Sequence, residues 1–230
     1  IYGGTQSPFT DVHFEKHIKT YVKDKERKKH ILAIYNSSKD HATLYKINEQ
    51  KRIDELQYQF EQQNTSTDDL TQAFLLIGER RDDLKQKMIN ARLKMQKYIE
   101  DDEWALILPE IENDLQKSEK NIDNTQARLE ARFNTIEAVI RRQIGDENSR
   151  DKVLEAFSTH EFLVMDLAKD IRKHRLHDNP TLRDINANRD ELELVMKERN
   201  QYCLDLYTTY IELHQVLAEN TTQKEWKAII

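Results

Sequence analysis

Eight histidines and a single cysteine are the side chains of this 230-residue chain best suited to ligating a metal or acting as a nucleophile. A metal centre inside helices calls for inward carboxylates and a Glu-x-x-His, which sets two ligands one turn apart on one face. No Glu-x-x-His occurs. The nearest substitutes are His13 with His17 and His174 with His177, each pair compatible with one helix face. Phe14, Glu15 and Lys16 separate the first pair, so the His-Glu-x-x-His of zinc proteases is missing, and both pairs read as surface histidines. Four glycines leave no room for a glycine-rich phosphate loop. Cys203 falls on an apolar seam and reads as a small buried hydrophobe rather than a reactive thiol. Arg81 and Arg199 also fall on seams, where each could hold an anion or lay its stem across the apolar face with its head in water. No catalytic, cofactor-binding or metal-ligating residue is assigned on this reading, and the chain is expected not to be an enzyme.

The elements that would position any such group are long helices. From Leu70 to Tyr98 the positions Leu70, Phe74, Ile77, Arg81, Leu84, Met88, Ala91, Met95 and Tyr98 step by fours and threes, a spacing that puts them on one face of an α-helix. A related frame follows 122 residues later: Leu192, Met196, Arg199, Cys203, Leu206, Tyr210, Leu213 and Leu217. Glu103-Trp104 closes the first frame and Glu225-Trp226 the second. Shifting the sequence by 122 pairs residues 14–104 with 136–226 without a gap, and thirteen of the 91 pairs are identical. Helix starts correspond as well, since Ser66-x-x-Asp69 falls on Asn188-x-x-Glu191, two cap-and-acid pairs of the kind that satisfy first-turn amides. Each tryptophan is expected to be buried where its hairpin would otherwise open.

Composition agrees with helices. Charged residues make up 34% and hydrophobic residues 37%, with three prolines, so turns are few. The net charge of −6 gives no general attraction to nucleic acid or to an anionic membrane. One cysteine excludes an intramolecular disulfide, and no apolar run is long enough to span a bilayer. The first residue is Ile1 rather than methionine, which leaves a cleaved signal peptide or a membrane anchor upstream as an expectation.

In chain order, residues 1–9 read as an extended lead-in, with Thr10 or Asp11 as the first cap. Residues 10–108 read as a first helical repeat, 109–135 as a connecting helix and 136–230 as a second repeat. Asp101 or Asp102 should cap a short element that carries Trp104, with Pro109 tolerated only in a first helical turn. Gly145 should end a helix at its C′ position, Asp146 to Ser149 should start the next, and Asn220 to Thr222 should cap the last. The expected fold is therefore all-α: an elongated antiparallel helical bundle built from two related long hairpins.

The expected function is a non-enzymatic scaffold or protein-interaction module, binding a protein partner or a second copy as a homodimer, and extracytoplasmic or membrane-tethered rather than cytoplasmic. Two alternatives stand beside it. One is a ligand- or metal-binding bundle. The other is a membrane-surface-binding dimer that uses Lys16, Lys19, Lys23, Lys25, Arg27, Lys28 and Lys29, a run interleaved with Asp24 and Glu26 that would otherwise be a solvated face or a helix junction.

Overall fold

The computed structural model describes the backbone of residues 13–173 and 179–230, and their side chains except those of 115–125, 168–173 and 198–200. The lead-in, the Thr10 or Asp11 cap, the His174–His177 pair and the Arg199 side chain lie outside the described residues. The described chain is all-α. Its helices are α1 (Phe14–Tyr21), α2 (Lys25–Glu61), α3 (Thr67–Gln96), α4 (Asp101–Gln143), α5 (Glu147–Lys173), α6 (Pro180–Arg183), α7 (Arg189–Asn220) and α8 (Gln223–Ile229).

Helix starts follow local side-chain chemistry. The Ser66 hydroxyl accepts the Asp69 N–H and donates to the Asp69 carboxylate, which opens α3. Asn188 and Glu191 open α7 with a reciprocal box, and Thr222 with Glu225 opens α8 in the same way. Asp146 accepts the Ser149 N–H ahead of α5. Asp24 does the same for Arg27, so the basic run is a helix junction: α1 stops at Tyr21 and α2 starts at Lys25.

One expectation about breaks differs from the structure. The short Trp104 element and the connecting helix are one helix, because α4 runs through Pro109 in its third turn. The proline removes one backbone N–H, but Pro109 and Ala105, whose carbonyl is left without it, are both exposed to water. Ile107 and Ile111 flank the proline and are buried, each worth about 1.5–3 kcal/mol, which matches or exceeds the roughly 3 kcal/mol that an interior proline costs. Gly145 does follow the end of α4, yet its backbone is not left-handed and a Cβ there would meet open space. Its place is set by a different contact, described below.

Contacts divide the chain into two compact units. The first comprises Ile1–Glu49, Glu79–Asn121 and Ile171–Arg199, and the second Gln50–Gly78, Ile122–Asp170 and Asn200–Ile230. In the first, Phe14 and Ile18 of α1, with Val22 just past its end, pack with Ile31 and Tyr35 of α2, Met95 of α3, Ile107 and Ile111 of α4, Leu182 of α6 and Leu192 of α7. In the second, Leu56 of α2 packs with Leu70, Phe74 and Ile77 of α3 and Tyr207 of α7.

Candidate functional site: two Glu-Trp joints

Buried polar groups gather in the first unit where α3 turns into α4. Glu103 is 5% exposed, and its carboxylate ties together three stretches of chain. It accepts the main-chain N–H of Glu100 (3.1 Å) and of Lys23 (3.3 Å), and both terminal nitrogens of Arg27 at 2.7 and 2.8 Å. Arg27 also donates to the Tyr98 carbonyl at 2.9 Å, so one guanidinium holds the end of one helix and the start of another. Burial alone would push the Glu103 carboxyl up, but the bonds from Arg27, Glu100 and Lys23 outweigh it and hold the group below the usual carboxylate range. The adjacent Trp104 is buried in the core, and its indole N–H donates to the Arg183 carbonyl at 2.7 Å.

The second unit contains a joint of the same type. Glu225 accepts the Thr222 N–H (2.8 Å), the Thr222 hydroxyl (2.7 Å) and the Gly145 N–H (3.1 Å). The Thr222 bonds, with that of Gly145, hold its carboxyl below the ordinary range. Trp226 is buried and donates to the Glu61 carbonyl at 2.9 Å. Position by position, Glu100, Glu103, Trp104, Lys23 and Arg183 stand 122 residues from Thr222, Glu225, Trp226, Gly145 and Glu61. Arg27 is the exception, since Ser149 stands at its counterpart.

A second pair of polar clamps keeps the same register. Arg92, 3% exposed, spreads its guanidinium over the carbonyls of Thr181, Leu182 and Asp184 at the end of α6. Burial lowers its pKa to about 10, which still leaves it charged at neutral pH. Its counterpart His214, 1% exposed, reaches the Gln62 carbonyl at 3.1 Å. The sequence reading assigned no role to Arg92 or His214 and missed both clamps. The available signal was a long polar donor immediately after a seam residue in both frames, Ala91-Arg92 and Leu213-His214.

Among the other candidates, the surface reading of the first histidine pair needs correction. His13 is exposed, but His17 is buried and pairs with Asp114 at 2.9 Å, because it shares an α1 face with Phe14 and Ile18. His160 is buried against Thr209 at 3.0 Å. Among the described residues, no three or more His, Cys, Asp or Glu side chains come together as a metal-ion group. Cys203 is half-buried and packs on the apolar cluster of the second unit, and Arg81 is half-buried.

The basic run is partly occupied by the fold itself. Lys23 and Lys28 donate to the carbonyls of Thr20 and Lys19 at the C-terminal end of α1, Lys19 pairs with Glu15, and Arg27 is held by Glu103. Lys16, Lys25 and Lys29 are exposed. No described helix is long and apolar enough to cross a membrane. Compared with family models, with curated proteins and with solved structures, the chain matches none.

Proposed function

We propose that the chain is a non-enzymatic helical scaffold, made by duplication of one helical unit at an offset of 122 residues, that presents its outer faces to a protein partner or to a second copy. The observation that carries this reading is the paired set of long-range bonds at the two joints. A glutamate accepts the amide of a helix junction 80 residues away in each case, and a neighbouring indole donates to a carbonyl whose position differs by the same 122. Shared heptad phase makes any two helices resemble one another. It does not by itself pair a glutamate with an amide 80 residues away in both frames and also set the two indole acceptors 122 residues apart.

The two compact units support the same reading. Moving the bounds of the first by 122 gives 123–171, 201 onward and, moving backward, 49–77; each lies within a residue of a bound of the second. Buried polar side chains support the scaffold half of the proposal. Glu103, Trp104, Trp226 and His214 all bond to main-chain groups at helix ends, and Arg92 clamps three carbonyls. Their chemistry is used within the fold.

A thermal-shift titration of the whole chain with Zn²⁺, Fe²⁺, phosphate and sulfate tests the assignment against the binding-bundle alternative. The expected result is no saturable change in Tm. A saturable rise with any of the four, which signals a ligand bound only by the native state, would overturn it.

A further inference from the structure

Besides the exchange of Arg27 for Ser149, the two joints differ in a second chemical respect, and this difference lies on titratable groups. In the second unit His214 has its ring edge-on to Trp226 (centroids 5.2 Å apart) and against Phe60 (5.1 Å). His160 lies 5.5 Å from the Tyr210 ring, which itself packs on Phe60 at 4.2 Å. The two imidazoles are thus built into one aromatic cluster that ends on the Trp226 joint. At the counterpart positions the first unit carries Arg92, which stays charged, and Ser38, whose hydroxyl donates to the Ile34 carbonyl.

Hydrogen bonds fix where a proton would enter. The Thr209 hydroxyl donates to the Leu206 carbonyl, so toward His160 its oxygen accepts from Nδ1–H and Nε2 is left as the basic nitrogen. The Gln62 carbonyl accepts from His214 Nε2–H, which leaves Nδ1. Adding either proton places a cation where burial has removed most of its water.

We infer that the second unit contains an acid-responsive latch, in which protonation of His160 and His214 drives both rings out of the aromatic cluster and releases Trp226, while the first joint stays closed. Burial alone lowers the His160 pKa to about 4, and burial also lowers that of His214 against the raising effect of its Gln62 bond. Titratable groups on the surrounding elements include Tyr207 and Tyr210 of α7, Glu161 of α5, Glu130 and Glu137 of α4, Glu61 of α2 and Glu225 of α8. None of them enters the balance at either histidine. Glu161 is held above the usual carboxyl range by burial and by Glu137 and Glu130, so it takes up its proton on acidification without loss of stability. Glu103 is held below that range and stays ionised longer than a free carboxylate.

The sign follows from a histidine pKa that is lower folded than unfolded: stability is intact above the unfolded value near 6.5 and is lost as pH falls toward 4. For His160 alone this raises the opening equilibrium about 25-fold between pH 7 and pH 5. Hydrogen exchange of the full chain, corrected for the intrinsic pH dependence of exchange, reads the effect directly. Amides of residues 209–226 should lose about 25-fold or more of their protection, and those of the control stretch 87–104 should lose less than about threefold. The 122-residue register serves here only to choose that control. A double variant, His160→Ser with His214→Arg, carries the first unit's residues and should abolish the differential loss. An equal loss in both stretches, no loss in 209–226, or a folded double variant that keeps the differential would overturn the inference; the wild-type comparison decides alone if the variant does not fold.

Discussion

Removing the Glu103 carboxylate should weaken the fold by more than removing that of Glu225, although both cap a helix and both hold a distant amide. In Glu103→Ala the Arg27 guanidinium, with a quarter of its side chain exposed, loses two charge-assisted bonds, and the amides of Glu100 and Lys23 lose their acceptor. Breaking a largely buried ion pair costs roughly 3–5 kcal/mol; water at the exposed part of Arg27, the remaining pair with Glu100 at 3.3 Å and the Tyr98 carbonyl recover some of that, which leaves about 2–3 kcal/mol. Glu225→Ala removes a capping box and the acceptor of the Gly145 amide, both open to water that can replace them, with no cation stranded. Urea unfolding at pH 7 followed by far-UV circular dichroism compares the two variants. A double-mutant cycle with Arg27→Ala should give a coupling of about 2 kcal/mol. Equal losses for the two glutamates, or a coupling below about 0.5 kcal/mol, would refute the reasoning. Because the Glu103 carboxyl is depressed, its contribution is present above the unfolded carboxyl pKa and is lost as pH falls through the lower folded value.

Two further substitutions probe other parts of the fold. Gly78 sits inside α3 with nothing within 4 Å of an added Cβ, so Gly78→Ala should raise stability by about 0.5–1 kcal/mol, read as a higher urea midpoint. Arg92→Met keeps the buried stem but strips the carbonyls of Thr181, Leu182 and Asp184 of their donor. It should lower stability by about 2–3 kcal/mol, with the loss of amide protection greatest over residues 179–188 in hydrogen exchange.

Local chemistry was readable in the sequence. The seam from Leu70 to Met95, the caps at Ser66, Asn188 and Thr222, and the burial of both tryptophans each follow from residues a few positions apart, and helices are specified at that range. Long-range choices were not readable. Arg27 stands in a run of lysines and looks like surface charge, because its partner Glu103 lies 76 residues away. His17 looks exposed until α4 brings Asp114 against α1. Pro109 looks like a stop because the local penalty is visible, whereas the compensating burial of Ile107 and Ile111 depends on α1 and α2.

The central claim is that one joint is built twice, and four protons test it. Hydrogen exchange resolved by nuclear magnetic resonance can follow the amides of Lys23 and Gly145 and the indole N–H groups of Trp104 and Trp226 in one sample. All four should be protected at least about tenfold relative to unstructured chain. Glu103→Ala should release Lys23 and leave Gly145 protected, and Glu225→Ala should do the reverse. An unprotected proton at one joint with its counterpart protected at the other, or simultaneous release of both amides by a single substitution, would contradict the claim.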